Sequence, residues 1–410
     1  MYRYTNTDDA VRRRKNVGRN YMDAISMFHE YEFASPLGIV PLNGSYDLAK
    51  KINDYLISWY YMANPEKADL PDSVRNFLID ANFPRFQSGD GKCMLNQSVR
   101  GMDLYIVADV GNYSCTYSLY GHTVPMSPDD HFMDLKRLIS AVGGKAMRLN
   151  VIMPILYGGR QHKRAARESL DCAMALQDLE NIGVNNIITF DAHDPRVQNA
   201  VPLMGFDNVM PYYQVLKALF RNVKDISIDK DRLMVVSPDE GAMARNMYYA
   251  SVMGVNLGMF YKRRDFSVVV NGRNPIVAHE YLGTSVQGKD ILVADDIIAS
   301  GESMLGLAEE LKEAGARRIF MFATYGLFTE GLDKFQKACD MGLIDKILTT
   351  NLTYRTPQLL SKPWYIEVDV SKYIAYFVLA LHTNNSVTKL LDPHSKIQAL
   401  LEKYRKEQQM

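Results

Sequence analysis

Cysteine is scarce: only four are present among 410 residues. Cys93, Cys115, Cys172 and Cys339 are widely scattered and form no Cys-x-x-Cys pair. That spacing argues against a disulfide framework or a zinc site and suits a reducing cytoplasm. Net charge is missing as well, since 47 Lys and Arg balance 47 Asp and Glu. A balanced chain has no general attraction to nucleic acid or to an anionic membrane, and neither is expected as a partner. No apolar run reaches the roughly 18–20 residues that a bilayer-crossing helix needs. The basic run Arg12-Arg13-Arg14-Lys15 has no apolar segment behind it. With Asp8 and Asp9 nearby, it reads as a solvated helix end rather than a signal peptide. Low-complexity tracts and strict internal repeats are absent too. What remains is an ordinary globular composition, long enough for two or three domains.

The chain does hold a regular alternation of apolar strands with amphipathic helices. Residues 1–35 read as a polar, partly helical extension. Buried strands are expected at 104–108, 149–153 and 186–190, with helices at 46–60 and 169–182. A second series has strands at 232–236, 256–261, 291–294 and 318–323, and helices at 241–253 and 303–314. Such alternation implies parallel sheets covered by helices on both faces. The expected organisation is α/β: two tandem doubly wound units, at 36–211 and 212–384, followed by a charged helical tail at 385–410. Two polar stretches, 63–82 and 111–128, read as surface insertions.

The chemistry gathers where strands end. Residues 291–294 run into Asp295 and Asp296, and then into the small-residue loop Ala299-Ser300-Gly301-Glu302-Ser303. Two acids beside a loop whose N–H groups can face an anion suit a sugar phosphate: carboxylates for hydroxyls or Mg²⁺, amides for the phosphate. Gly158-Gly159 precede Arg160-Gln161-His162-Lys163-Arg164, a cationic set fit for a polyphosphate. Asp191-Ala192-His193 follows a strand, so an extended backbone would turn both side chains to one cleft, the His toward a metal. Ser237-Pro238-Asp239-Glu240-Gly241 opens a helix. It can cap that helix, hold a diphosphate with its amides, or do both. Lys262-Arg263-Arg264 form a run of cations that repel one another unless an anion meets them. The stretch 265–279, with Asn271-Gly272, reads as a mobile hairpin or flap.

Taken together and in order, these motifs resemble the ribose-phosphate diphosphokinases, the phosphoribosyl diphosphate (PRPP) synthetases. The likeness runs from about Leu42 to His382. Leu42-Asn43-Gly44-Ser45, Arg85-Phe86-Gln87-Ser88-Gly89-Asp90 and Ser98-Val99-Arg100-Gly101 also match that family's pattern. The resemblance implies the type I phosphoribosyltransferase fold in each unit and transfer of diphosphate from ATP to ribose 5-phosphate. It implies Phe86, Ser88 and Asp90 at adenine, and Arg160 and Gln161 on ATP. It implies His193 and Asp239 acting through Mg²⁺, and Lys262 and Arg264 as the catalytic cations. Asp295 and Asp296 would hold the ribose hydroxyls, and the loop from Ala299 through Ser300, Gly301 and Glu302 to Ser303 the 5-phosphate. A cytoplasmic homo-oligomer, dimer or hexamer, follows from the same likeness. Departures are visible. Ala299 stands where the family has a third Asp, and Glu302 where it has a second Gly. Glu240 and Ala242 replace smaller residues, and Ser88 replaces Asn. They leave two rival readings: a non-catalytic, nucleotide-binding regulatory homologue, and a phosphoribosyltransferase.

Overall fold

Fully apolar runs bounded by turns assemble into two main sheets. The computed structural model describes residues 24–30, 35–67, 76–164, 166–264 and 276–408, with backbone alone at 29–30, 262–264 and 276–279. In chain order the strands are β1 (Leu37–Pro41), β2 (Ala81–Asn82), β3 (Met94–Leu95), β4 (Asp103–Val107), β5 (Thr116–Leu119), β6 (His122–Pro125), β7 (Arg148–Ile152) and β8 (Asn186–Phe190). They continue as β9 (Gly205–Val209), β10 (Leu233–Ser237), β11 (Asn256–Arg264), β12 (Ile276–Leu282), β13 (Asp290–Ile298), β14 (Arg318–Gly326), β15 (Lys346–Thr350) and β16 (Tyr365–Val368). The first sheet is five-stranded in the order β1-β4-β7-β8-β9, all parallel. The second is seven-stranded, β12-β11-β10-β13-β14-β15-β16, parallel except for the β11–β12 pair. Every residue of β4, β8 and β10 is buried, the pattern of strands covered on both faces.

The helices are held at their ends and along one stripe. Tyr46–Ala63 buries Leu48, Ala49, Ile52, Leu56, Trp59 and Ala63, spaced three or four apart. Pro128–Val142 starts on a capping box between Ser127 and Asp130 with Pro at its first turn. Ser371–His382 is buried on nearly every side. It packs against Tyr46–Ala63, with the rings of Trp59 and Tyr376 4.5 Å apart. The tail forms a helix, His394–Gln408, whose Tyr404 stacks on Phe220 and donates to the Val223 carbonyl. One hydrophobic core joins the two halves: Ile39, Tyr105 and Phe190 belong to the same cluster as Val235, Leu292 and Phe377. Apolar content therefore predicted the strands well, but not which sheet a late helix would cover.

The stretches expected as surface insertions are tied into the fold. Residues 77–79 lie along β1 as an edge, through Ile39 N–H to the Phe77 carbonyl and Ile79 N–H to the Ile39 carbonyl, both 2.8 Å. Residues 111–128 carry the exposed hairpin β5–β6, but their base is anchored by buried Asn112. Polarity alone hid both attachments, because backbone hydrogen bonds leave no hydrophobic signature. The expected flap at 265–279 lies mostly outside the described residues.

Candidate active site

Parallel strands deliver their following loops to one edge of a sheet, and the candidate residues gather at the carboxyl ends of both sheets. The two edges face each other. Tyr325, on β14, reaches the carbonyls of Pro154 and Phe190 with its phenol. Between them lies a cavity of about 440 Å³, lined among others by Arg160, Gln161, His193 and Asp296. Four residues named from sequence thus share one space: Arg160 and Gln161 from one loop of the first half, His193 from another, and Asp296 from a strand of the second.

The contact that closes this space is a hydrogen bond of 2.6 Å between His193 Nδ1 and Asp296 Oδ2. The Asp296 bond raises the His193 pKa from its ordinary value, against burial and the nearby Arg160 charge. Burial pushes Asp296 up, but the His193 bond and the Arg245 charge prevail and hold it below the usual carboxylate range. Asp295 goes the other way, raised by burial and by the neighbouring Asp296 charge. The pair thus keeps Asp296 ionised while disfavouring a second negative charge beside it. With Nδ1 donating to Asp296, the neutral imidazole presents Nε2 as a lone pair, the tautomer a metal needs.

Asp191 behaves differently from its expected role. Its backbone is left-handed, φ +43°, not extended. Its carboxylate is clasped by Arg245, with Nε to Oδ2 at 2.9 Å and Nη2 to Oδ1 at 2.7 Å, and it also accepts from Thr324. Asp191 lines the same cavity as His193, but its carboxylate is taken up by Arg245 and Thr324, and Asp296 bonds His193 instead. Arg245 also lies 3.6 Å from Asp295, so one buried guanidinium serves acids from both halves.

The glycines before Arg160 have a geometric reason. Gly158 has φ +67°, and a Cβ there would come 3.0 Å from the Cys172 nitrogen. The Gln161 amide donates to the Ser169 and Lys163 carbonyls at 3.0 and 3.2 Å, holding its own loop. Arg160 is exposed and has no ion-pair partner among the described residues. His162 lies 3.5 Å from Asp194, and its ring centroid is 5.3 Å from that of His193.

Asp239, Asp295 and the residues 299–303 are not among those that line the cavity. Asp239 accepts from Ala242 N–H at 3.1 Å, and the Ser237 hydroxyl donates to the Asp239 carbonyl at 2.8 Å. Fully buried Asn246 ties this turn to the next strand, donating to the Ala294 carbonyl at 2.7 Å and accepting from Ala294 N–H at 3.1 Å. Because β10 and β13 are neighbours, Asp239 and Asp295 leave the same sheet edge. Asp295 and Asp296 belong to β13 itself, which extends to Ile298. After Ala299 and Ser300, Gly301 takes φ +86° and starts the helix Glu302–Glu313 with no side-chain cap. A Cβ on Gly301 would sit 2.1 Å from the Phe335 ring. Glu302 has a 72%-exposed side chain, 3.8 Å from Lys334; Ser303 is exposed. Lys262 and Arg264 lie on β11, paired with His279 and Ile276 around a bulge.

Phe86, Ser88 and Asp90 are not brought to the cavity. They form a tight turn closed by Phe86 N–H to the Asp90 carbonyl, 2.8 Å, with the Ser88 hydroxyl donating to Asp90, 2.8 Å. Arg85 locks this turn to buried Asp134 through two 2.8 Å bonds, and Phe86 is left 55% exposed. Sequence reasoning missed Arg245, Asn246 and Tyr325. An Arg and an Asn in the first turn after Ser-Pro-Asp were the available signal for two of them.

Comparison with known proteins agrees with this fold. Residues 37–183 match the family model for the N-terminal domain of ribose phosphate pyrophosphokinase, and residues 208–333 that for a phosphoribosyl transferase domain. The fold is thus that of two phosphoribosyltransferase-like units in tandem. A ribose-phosphate pyrophosphokinase of Vibrio cholerae is 26% identical over 337 residues, covering 80% of this chain and 97% of that one. One from Mycoplasmopsis pulmonis is 27% identical over 289 residues, covering 69% and 79%. The crystal structure of a phosphoribosylpyrophosphate synthetase from Mycobacterium smegmatis superposes with a TM-score of 0.66 at 19% identity, covering 85% of this chain and 99% of that one. This chain belongs to the ribose-phosphate pyrophosphokinase family.

Proposed function

We propose that the protein transfers diphosphate from ATP to the anomeric hydroxyl of ribose 5-phosphate, giving PRPP and AMP for nucleotide biosynthesis. The observation that carries this reading is the His193–Asp296 bond, which joins the Arg160-Gln161 side to the Asp295–Ser303 side. A donor and an acceptor substrate held on those two sides meet at one place. Arg160 and Gln161 hold the triphosphate. Asp295 and Asp296 take the ribose hydroxyls, and the uncapped amides that follow Gly301 take the 5-phosphate. Lys262 and Arg264 neutralise charge as the bridging oxygen leaves. Positioning and charge neutralisation do most of the work, because the protein forms no covalent bond to substrate.

Mg²⁺ fits the donor set. Among the described residues no three His, Cys, Asp or Glu side chains converge on a metal position. That matches Mg²⁺, which keeps several waters and takes one or two protein ligands beside substrate phosphates. His193 and Asp239 would hold it, and bound there it lowers repulsion between the phosphates and the attacking hydroxyl. Phe86, Ser88 and Asp90, outside their own cavity, serve adenine held by a second copy, which makes the working unit a homo-oligomer, a dimer or hexamer. No helix among the described residues is long and apolar enough to cross a membrane; a cytoplasmic enzyme is the location we propose, with four unpaired thiols in keeping.

AMP release from ATP, Mg²⁺ and ribose 5-phosphate tests the reading, and loss of activity with chelator tests the metal. Lys262→Ala should lower kcat at least about a hundredfold, the loss typical of a charge-stabilising group, with little change in KM. A chain that binds ATP but releases no AMP supports the second reading, a regulatory homologue. The observation favouring that one is Glu302 at the mouth of the phosphate cradle.

A further inference from the structure

The cavity has a wall that the assigned residues leave unused. Besides Arg160 and His193 it is lined by Tyr113, Pro128, Ile155 and Leu156. Phosphates and ribose hydroxyls have no use for such a surface; a flat heterocycle does. Tyr113 and Pro128 come from segment 111–128, the one set aside as an insertion from sequence. That segment is fixed at its base. Asn112 is 4% exposed, donates to the Gly44 carbonyl at 2.8 Å and accepts from Ser114 N–H at 2.8 Å. Its own carbonyl meets His131 Nε2 at 2.7 Å. Met126 N–H closes the loop on the Cys115 carbonyl at 2.8 Å. On this rigid footing the Tyr113 ring is 46% exposed, held edge-on by Tyr354 with centroids 5.4 Å apart. A large ring left half-open on an anchored loop is a preorganised stacking face: little ordering entropy is lost when a base covers it.

We infer that Tyr113 is a specificity-determining residue that stacks on the base of the nucleotide held by Arg160 and Gln161 of the same chain. The inference rests on the reading that this cavity takes ATP. It gives adenine a platform within the chain, leaving its second face for the exposed Phe86 turn of another copy.

Calorimetry on the full chain with Mg²⁺ separates the base from the phosphates, using ATP and inorganic tripolyphosphate as probes. Tyr113→Ala should weaken ATP about tenfold or more, the size of one base–ring stack. It should leave tripolyphosphate unchanged, and Tyr113→Phe should keep the affinity for ATP. Unchanged ATP binding by Tyr113→Ala overturns the inference. So does an equal loss for tripolyphosphate, which would make the residue a prop for the loop, and so does a native chain that does not bind ATP. If the native chain binds ATP and shows this pattern without releasing AMP, the synthetase reading fails while the stacking role stands.

Discussion

Two strand-to-helix turns leave adjacent strands of the second sheet, and they are closed to different degrees. The turn after β10 is closed on itself: Asp239 caps Ala242 N–H, and Ser237 bonds the Asp239 carbonyl. The turn after β13 is more open: Gly301 is left-handed at the helix start and Glu302 N–H reaches the Ser300 hydroxyl only at 3.5 Å, while neither helix has a side-chain cap. By sequence the first looks the better match to its family and the second the worse. By structure the second turn holds its amide more loosely, Glu302 N–H to the Ser300 hydroxyl at 3.5 Å, than the first holds Ala242 N–H on Asp239 at 3.1 Å. Substituting a residue in a phosphate loop matters less than whether the backbone donors remain uncommitted.

The largest effect is expected where the two turns share a support. Arg245, in the helix after the closed turn, clasps Asp191 and approaches Asp295. Arg245→Ala leaves a buried carboxylate unpaired and should destabilise the fold by about 3–5 kcal/mol. Denaturant unfolding measures it, and a loss below about 1 kcal/mol would show that Asp191 is neutral or otherwise satisfied. Next is the open turn itself. Gly301→Ala adds a Cβ against Phe335 at a positive φ, and should cost about 1–3 kcal/mol while raising KM for ribose 5-phosphate more than KM for ATP. Equal rises in both KM values would remove the distinction between the turns.

A smaller effect concerns the bond that spans both halves. His193, raised by Asp296, contributes stability that is full below its unfolded value of about 6.5 and is lost as pH rises through the raised value. Asp296, held low once the His193 bond and Arg245 outweigh burial, contributes above about pH 4 and loses it as pH falls through the lowered value. The stability difference between the native chain and Asp296→Asn should therefore be greatest near pH 5–6 and shrink by pH 9. A difference independent of pH would mean that charge plays no part in the clasp. The smallest effect is expected at Glu302, which is exposed and 3.8 Å from Lys334. Glu302→Gly should leave KM for ribose 5-phosphate unchanged or modestly lower it, by relief of repulsion. A marked rise would place the Glu302 carboxylate in the site's working machinery.

Strand ends were legible in the sequence because burial on both faces produces unbroken apolar runs, and polar residues that follow such runs must sit at a sheet edge. That is how Arg160, His193 and Asp296 could be named together. Their mutual geometry was not legible. The partner of His193 is 103 residues away in the other half, and no local pattern encodes that pairing. Asp191 and His193 do share one cavity, but through a left-handed bend at Asp191 rather than the extended backbone assumed. Phe86 was placed at adenine by motif alone, whereas the Arg85–Asp134 clasp fixes its turn outside the cavity of its own chain. Tyr113 was passed over because a polar segment without periodicity carries no sign of what its base is tied to.

The helix Ser371–His382 has a consequence for how the molecule is made. It is supplied by the last tenth of the chain, yet it covers the helix Tyr46–Ala63 and bonds Asp103 through His382 across 279 residues. During synthesis, the first sheet therefore emerges with Trp59 and its neighbours uncovered, and stays so until Ser371–His382 is out. Contacts of such separation form late and slowly, and the surface they will cover is exposed to aggregation in the meantime. The early half shares its core with the later one. Because the His193 loop belongs to that half, completion of the candidate site awaits the arrival of Ser371–His382.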